Sequence, residues 1–332
     1  MTLDEIVKIL DETEANFVLL LGHQNTDPDA LCSAYALQGL LKALKPRIVF
    51  EIGSGQGISR LSKHLLENMP ITVNPKPNFE SADVIVLVDT NTVQQLGEIA
   101  QKVSSSTAPI IVVDHHAAHP ETLQKAMLYI ANEEASSTCE VVYDLFKQAN
   151  VEPNLDEAQA LFLGIAFDSR HFVLANASTF KTIVELCEAG INPPETLSML
   201  TLPMELSERV ARLKAFQRAK LERIGDWIIM LSNVSAYQAS TARALVDLGA
   251  HAAAVAGKKQ DGIEVSFRCS REFQKATGIH LGKDIAKPLG EALKGMGGGH
   301  AAAAGANGTG NVNTALQLCL QLFKDRLLSK NE

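Results

Sequence analysis

The chain has few cysteines, and they are not spaced for joint chemistry. It has five, an odd number with no Cys-x-x-Cys pair: Cys32, Cys139, Cys187, Cys269 and Cys319. Disulfide frameworks normally carry an even set, and thiolate zinc sites carry closely spaced pairs. We therefore predict neither a disulfide framework nor a structural zinc site.

The chain also lacks a positively charged, apolar start and any apolar run long enough to cross a bilayer. We expect a cytoplasmic protein with no membrane partner.

Basic residues are scarce as well, since 30 lysines and arginines stand against 38 acidic residues, a net charge of -8. Proteins that hold long nucleic acids by neutralising phosphates usually have a basic surface. The charge therefore favours short substrates over duplexes or long strands.

Short apolar runs that end in histidine or aspartate recur through the first half of the chain. Residues 17–21 lead to His23, Asp27 and Asp29, residues 84–88 to Asp89, and residues 110–113 to Asp114, His115 and His116, and a later patch carries Asp168. Such runs are typical of buried strands in a parallel sheet, and the segments between them, such as 30–44, have helical patterns. Open parallel sheets bind ligands at the carboxyl ends of their strands. We expect these side chains to meet at one edge of the sheet.

Carboxylates placed so close together repel one another unless a cation neutralises them. Carboxylate and imidazole ligands without thiolate favour Mn2+ or Mg2+, with Co2+, Zn2+ and Fe2+ as alternatives. The eight candidate ligands are too many for one ion. We therefore predict two divalent cations about 3.5 to 4 Å apart, the arrangement of two-metal hydrolases.

Each motif taken alone has a plainer interpretation. Asp27 and Asp29, which flank a proline before a helical pattern, are equally typical of a helix cap. His23 alone is more often a hydrogen-bonded polar residue, and Asp89 alone says little. The triplet 114–116 is harder to explain, because three polar side chains in a row at a strand end have no obvious packing role. The metal prediction depends on the whole set.

A second candidate site lies near the carboxyl terminus. Residues 295–299 are glycine at every position but Met296, and His300 follows them. Glycine amides can form an anion-binding nest to which His300 adds a donor, although a flexible turn explains the same residues. Arg268, at the end of the alternating segment 263–268, is suited to bidentate phosphate binding or to an ordinary surface position.

The motifs resemble those of the DHH phosphoesterase superfamily. The first motif of that family is similar to residues 23–30, the second to Val88-Asp89, the naming triplet to Asp114-His115-His116 and the fourth to Asp168 within 164–169. Gly297-Gly298-Gly299-His300 resembles the signature of the DHH-associated substrate domain. RecJ-type exonucleases and cyclic-dinucleotide phosphodiesterases share this signature, but the compact chain is most similar to the NrnA-like oligoribonuclease and pAp phosphatase branch.

The resemblance implies a role for each candidate residue. One metal would take His23, Asp27 and Asp89, and the other Asp29, Asp89, His115 and Asp168, with Asp89 bridging. The catalytic residues would be His116, Asp89 and Asp114, with His116 facing the scissile phosphate. The substrate would contact Arg268, Gly297, Gly298, Gly299 and His300. NrnA-like members usually continue the fourth motif with Thr-Gly-Arg-Phe, whereas this chain has Ser169-Arg170-His171-Phe172, so no role is assigned to Arg170 or His171.

We expect an α/β fold with a parallel-sheet DHH catalytic domain at 1–192, a helical linker at 193–222 and a smaller mixed α/β substrate domain at 223–332, the active site lying in the interdomain cleft. Strands are predicted near 227–231, 252–256 and 263–268, and helices near 203–221, 281–294 and 314–327.

The resemblance implies a Mn2+-dependent phosphodiesterase that cleaves dinucleotides and other very short single-stranded oligonucleotides (nanoRNA) to mononucleotides, with pAp as a further substrate. Alternatives are a cyclic- or linear-dinucleotide signalling phosphodiesterase, a RecJ-like single-strand exonuclease and a nucleotide-binding regulatory module. A homodimer is also expected from the resemblance.

Overall fold

The computed structural model describes residues 3–54, 57–259 and 262–328. The chain forms two compact units, Met1–Leu202 and Pro203–Glu332, which we call unit 1 and unit 2. The division falls inside the segment 193–222 that the sequence predicts as a linker. The outermost residues of the predicted domains, 1 and 332, lie outside the described part of the chain.

Unit 1 is built on a parallel sheet. Its strands are β1 (Phe17–Leu21), β2 (Val49–Gly53), β3 (Val84–Val88), β4 (Ile110–Asp114) and β5 (Leu128–Ala131). They lie in the order β2-β1-β3-β4-β5, and every neighbouring pair is parallel. The predicted parallel-sheet α/β fold is confirmed.

Helices connect these strands and follow them. They are α1 (Leu3–Glu12), α2 (Pro28–Leu44), α3 (Arg60–Asn68), a 3-10 helix (Val93–Ile99), α4 (Ala100–Ser105), α5 (Pro120–Lys125), α6 (Thr138–Ala149), α7 (Leu155–Asp168), α8 (Ala177–Glu188) and α9 (Pro193–Ser198).

Both faces of the sheet in unit 1 are buried, which explains why β1, β3 and the start of β4 are apolar at every position. Along β1, Leu20 packs into one hydrophobic cluster, and Leu19 and Leu21 pack into another. Since successive side chains of a strand point to opposite faces, the two clusters lie on opposite sides of the sheet. Polar side chains are therefore left to the strand ends.

Unit 2 has a mixed sheet in the order β10-β11-β9-β8-β7-β6. Its strands are β6 (Lys220–Ile224), β7 (Trp227–Asn233), β8 (Ala252–Lys259), β9 (Gly262–Cys269), β10 (Gly297–Gly299) and β11 (Ala303–Gly308). Its helices are α10 (Leu206–Arg218), α11 (Gln238–Asp247), α12 (Arg271–Thr277), a π-helical turn (Leu281–Ala286), α13 (Lys287–Ala292) and α14 (Val312–Leu328). Only β7 and β8 pair in parallel, and the other described pairs are antiparallel. The predicted mixed α/β architecture is confirmed.

Both faces of the sheet in unit 2 carry a hydrophobic cluster: Ala254 of β8 packs into the larger cluster, and Val255 packs into a smaller one on the opposite face. Phe273 packs edge-on against Trp227 and Phe323, with ring centres 5.3 and 6.3 Å apart. Over the described residues, no helix combines the length and the apolar character that a membrane crossing needs.

Candidate metal centre

The eight side chains predicted from the strand ends lie together in unit 1, and we call them the His/Asp cluster. They are His23, Asp27, Asp29, Asp89, Asp114, His115, His116 and Asp168. The first three come from the loop after β1 and the start of α2. Asp89 follows β3, Asp114 is the last residue of β4, and Asp168 is the last residue of α7. Asp168 is thus delivered by a helix end, whereas the others follow strands.

Asp27 both caps a helix and belongs to the His/Asp cluster. Its Oδ1 caps α2 by accepting hydrogen bonds from the backbone N–H of Asp29 and Ala30, at 3.1 and 3.2 Å. Its Oδ2 lies 3.6 Å from His23 Nε2. His23 Nδ1 donates to the Gln24 carbonyl at 2.8 Å, which leaves Nε2 for the cluster. The two roles use different oxygens of one carboxylate.

Asp29 is fully buried and is held by the start of α6. Its Oδ2 accepts from the backbone N–H of Thr138 at 2.7 Å, and its Oδ1 accepts from that of Cys139 at 3.1 Å. Amides at a helix amino terminus stabilise a carboxylate. Gly164 of α7 makes room for this contact, because a methyl group there would lie 2.8 Å from Asp29 Oδ1 and closer still to the Cys139 sulfur.

Asp89 lies at the centre of the cluster, with 5% of its surface exposed and a left-handed backbone at φ 52°. Its Oδ2 is 3.8 Å from His23 Nε2. Its Oδ1 is 3.6 Å from both His115 Nε2 and His116 Nδ1, and it accepts a hydrogen bond from Thr138 Oγ1 at 2.8 Å. One carboxylate is therefore shared among three imidazoles.

The triplet after β4 fixes its own geometry. Oδ1 of the fully buried Asp114 accepts from the backbone N–H groups of His115 and His116 at 2.7 and 3.0 Å, and lies 2.8 Å from His116 Nδ1. His116 Nε2 is thereby left for a ligand, and 51% of that side chain is exposed. His115 Nδ1 lies 3.4 Å from the Ala135 carbonyl, and its Nε2 lies 3.3 Å from Asp168 Oδ2.

Burial and mutual repulsion raise the pKa of most acids in the cluster. Burial, followed by the charges of Asp27 and Asp114, raises the pKa of Asp89 to about 7. Burial and the charges of Asp89 and Asp168 raise the pKa of Asp29 well above its usual range. Burial also raises the pKa of Asp168. Without a cation, the folded chain favours protons on these carboxylates.

The histidines differ in charge because their surroundings differ. Burial and the neighbouring His116 lower the pKa of His115, which favours its neutral ring. Because Nδ1 faces the Ala135 carbonyl, Nε2 is the nitrogen that offers a lone pair. The hydrogen bond to Asp114 raises the pKa of His116. Burial acts to lower the pKa of His23, but interactions led by Asp27 outweigh it and raise that pKa to about 9.

The cluster has a donor set that fits a pair of divalent cations, and one of its donors lacks a partner. His115 Nε2 is buried and has no hydrogen-bond partner among the described residues. Donor atoms within 4.8 Å of one another form three groups: His23, Asp27 and Asp89; Asp29, His115 and Asp168; and Asp89, Asp114, His115 and His116. The first group is the ligand set that the resemblance implies for one metal. The second group is the set that it implies for the other metal, except that Asp89 is counted in the first group only.

In unit 2, Arg268 on β9 pairs with Ala303 on β11. Its Nη1 donates to the Phe267 carbonyl at 2.8 Å, and its Nε is buried without a partner in the described part of the chain. Burial and the charge of Arg243 lower the pKa of Arg268. His300 is exposed, and its backbone N–H donates to the Ala303 carbonyl at 2.8 Å. A guanidinium that has an N–H without a partner and lies near a second guanidinium attracts an anion.

Three glycines of the predicted loop, Gly297–Gly299, form a short edge strand, β10, where the sequence suggested a nest or a flexible turn. The strand pairs with β11, and among its residues a positive φ occurs at Gly299, 130°. Gly297 is needed for packing, because a methyl group there would overlap the Ala286 carbonyl. The space above Gly298 is open. Of the predicted glycines, Gly298 is therefore the one that a ligand can approach closely.

Two descriptions of known domains match this chain. The N-terminal domain of the DHH family matches residues 17–165, which carry the cluster except for Asp168, and the DHHA1 domain matches residues 235–325. An uncharacterised protein of Methanocaldococcus jannaschii is 34% identical over 307 residues, 91% of this chain and 90% of that protein. The chain belongs to the DHH family.

Other relatives carry named activities. The cyclic-di-AMP phosphodiesterase GdpP of Geobacillus thermodenitrificans is 27% identical over 269 residues, which are 75% of this chain and 40% of that protein. The crystal structure of an exopolyphosphatase-related protein from Bacteroides fragilis matches with a TM-score of 0.63 at 18% identity, covering 99% of this chain and 97% of that one. That likeness shows a shared fold.

Sequence reasoning missed the residues that support the His/Asp cluster. Thr138 and Cys139 bind Asp29, which precedes Thr138 by 109 positions. The serines before Thr138 are a helix-start signal, and Ser137 does cap α6 by accepting from the Glu140 N–H at 3.2 Å. No local signal says that this helix start faces Asp29.

Proposed function

We propose that the chain is a metal-dependent phosphodiesterase that hydrolyses dinucleotides and other very short oligonucleotides to mononucleotides, with pAp as a further substrate. That it is a phosphoester hydrolase follows from its membership of the DHH family. The observation that carries the proposal is the position of Asp89, whose oxygens lie 3.6 to 3.8 Å from nitrogens of three imidazoles, between two groups of donors. A shared central carboxylate is typical of two-metal hydrolases.

We assign the donors to two divalent cations, with Asp89 shared between them. His23 and Asp27 complete the first set, and Asp29, His115 and Asp168 complete the second. Oxygen and imidazole donors without thiolate favour Mn2+, with Mg2+ or Co2+ as alternatives. When bound, such a pair neutralises charge at a reacting phosphate and activates water.

His116 is the proton donor in this proposal. Asp114 holds its Nδ1, so Nε2 is the atom that can reach a substrate. The hydrogen bond to Asp114 raises the pKa of His116, which favours the protonated ring. Nε2–H can then donate to a phosphoryl oxygen or to the leaving oxygen. Asp114 acts through His116 as a positioning residue.

Short substrates are favoured by charge and by the small number of anion-binding groups. The net charge of -8 does not suit a long polyanion. In unit 2, Arg268, His300 and the open backbone at Gly298 are the groups that we assign to a substrate phosphate. A few placed donors suffice for one or two phosphates.

A second candidate activity is cleavage of a cyclic dinucleotide. The relative named as a cyclic-di-AMP phosphodiesterase favours it, although the chain spans 40% of that protein. The same cluster would serve both reactions, so the two proposals differ in the substrate pocket alone.

The test is a comparison of initial rates on four substrates with Mn2+: a 5′-phosphorylated dinucleotide, a longer single-stranded RNA, a cyclic dinucleotide and pAp. A His116→Gln variant is the control for contaminating nucleases. We expect the linear dinucleotide to be lost fastest and the variant to be inactive. Faster loss of the long RNA would replace the proposal with a general exonuclease, and turnover of the cyclic compound alone would replace it with the second candidate.

A further inference from the structure

The turn that follows Asp168 has an unusual backbone. Arg170, His171 and Phe172 have φ angles of 53°, 55° and 68°, and they are the one run of consecutive non-glycine residues at positive φ in the described ranges. Residues with a Cβ rarely adopt this left-handed region, and runs of them are rarer still. Such conformations persist where the surrounding structure holds them, and they concentrate at functional sites.

The surrounding contacts hold the turn at both ends. The backbone N–H of His171 donates to the Ala166 carbonyl at 2.7 Å. The buried Ser169 accepts from the N–H of Phe172 at 3.1 Å through its hydroxyl, which in turn donates to the last turn of α7. The Phe172 ring packs edge-on against Phe162, with centres 5.8 Å apart, on the edge of the core.

These contacts explain Ser169 and Phe172 but not the two residues between them. Arg170 and His171 are exposed, so packing gives no reason to prefer them to glycine or asparagine, which tolerate a positive φ. Within the described part of the chain, the Arg170 guanidinium forms no hydrogen bond or ion pair. Arg170 lies two positions after Asp168, the member of the His/Asp cluster that ends α7.

We propose that the left-handed turn at residues 170–172 fixes the Arg170 guanidinium beside the His/Asp cluster, where it binds a phosphate oxygen of the substrate. A guanidinium presents several N–H donors in a rigid fork that matches phosphate oxygens. The strained backbone limits where the side chain can go, so less freedom is lost when phosphate binds. Arg170 therefore acts on substrate affinity, and His171 and Phe172 are positioning residues. The inference rests on the proposed function, since it concerns the same site.

The test uses three variants of the turn and one matched control. Arg170→Gly removes the guanidinium and relieves the backbone, Arg170→Lys keeps a charge without the fork, and His171→Gly loosens the turn but keeps Arg170. The control is Glu14→Gly, because Glu14 is also exposed with a positive φ, 49°, but lies before β1, at the opposite end of the sheet from the cluster. The readouts are KM and kcat for the 5′-phosphorylated dinucleotide, the Kd of inorganic phosphate for the Mn2+-loaded protein, and Tm.

We expect Arg170→Gly to raise KM and the phosphate Kd by roughly tenfold to a hundredfold, the range for losing a hydrogen bond to a charged group. We expect its kcat to stay within about threefold, because the contact is made equally to bound substrate and transition state. Lysine should restore part of the affinity, and His171→Gly should weaken it by a smaller factor. Tm should not fall in either glycine variant or in the control, since each relieves a positive φ.

A phosphate Kd and a KM within twofold of the wild type in Arg170→Gly would overturn the contact. An unchanged KM in His171→Gly would overturn the claim that the strained turn fixes the side chain. Equal loss of affinity in Glu14→Gly would show a general effect of glycine and would also count against the inference. If the wild-type protein cleaves no oligonucleotide, the proposed function fails, while the phosphate Kd still decides the role of Arg170.

Discussion

Replacement of Asp89 by asparagine should stabilise the metal-free protein and abolish its response to metal. Asparagine keeps the shape and tolerates the left-handed backbone at φ 52°, and its carbonyl can still accept from Thr138. What changes is the charge. A carboxylate that burial and repulsion make costly is replaced by a neutral group, and a central cation ligand is lost.

The size and the sign of the effect follow from the pKa of Asp89. Its rise from 3.8 to about 7 corresponds to roughly 4 kcal/mol of destabilisation once the group is ionised. Because the folded-state pKa lies above that of the unfolded chain, this penalty is absent below the unfolded value, grows through about pH 7 and is complete above it. Asp89→Asn should therefore raise the free energy of unfolding of metal-free protein at about pH 8 by up to that amount, and change it little at about pH 4.

With Mn2+ the order should reverse. The wild type gains stability by binding the cations, whereas the variant, which lacks the shared ligand, gains little. Turnover should fall by at least about a hundredfold, since even residues that only support a ligand cost tenfold to a hundredfold. Thermal or urea unfolding with chelator and with Mn2+, at both pH values, measures these changes. A metal-free variant less stable than wild type at pH 8, or turnover within a few-fold of wild type, would refute the reasoning.

Three further outcomes test the surroundings of the cluster. Thr138→Val removes the hydrogen bond to Asp89 and should weaken Mn2+ affinity by roughly tenfold to a hundredfold in calorimetry, with unchanged affinity counting against support through this hydroxyl. Gly164→Ala should destabilise unit 1 by about 1–3 kcal/mol in denaturant unfolding, because the added methyl group collides near Asp29, and a neutral result would mean that α7 shifts freely. Mn2+ affinity should rise with pH up to about 9, with release of protons, because cations displace protons from Asp89 and His23, and a flat profile would contradict the protonation states.

Much of unit 1 was predictable from local pattern. The strands of a parallel sheet covered on both faces must be apolar at every position, so β1, β3 and β4 were visible as runs, and the polar residues that follow them marked the functional edge. The helix cap at Asp27 was also visible. The sequence could not show that one oxygen of Asp27 caps α2 while its other oxygen faces His23, because a helix cap and a metal ligand are both consistent with the same residues.

The parts that sequence reasoning missed depend on distant contacts. The segment 297–299 has the composition of a loop, but its pairing with β11 makes it a strand. The serines before Thr138 are a local signal for the start of α6, but the contact of that helix start with Asp29 joins residues more than a hundred positions apart. The left-handed turn at 170–172 carries no glycine, so nothing local signalled it. Each of these features arises from tertiary structure that overrides local preference.

The most direct test of the central claim is a Mn2+ titration of metal-stripped protein in which bound metal and hydrolysis of a 5′-phosphorylated dinucleotide are measured on the same samples. We predict two Mn2+ ions per chain and turnover that appears as the second ion binds. Asp89→Asn should lose both the metal binding and the turnover. Full turnover in the presence of chelator, or metal binding in the variant equal to that of the wild type, would contradict the two-metal account.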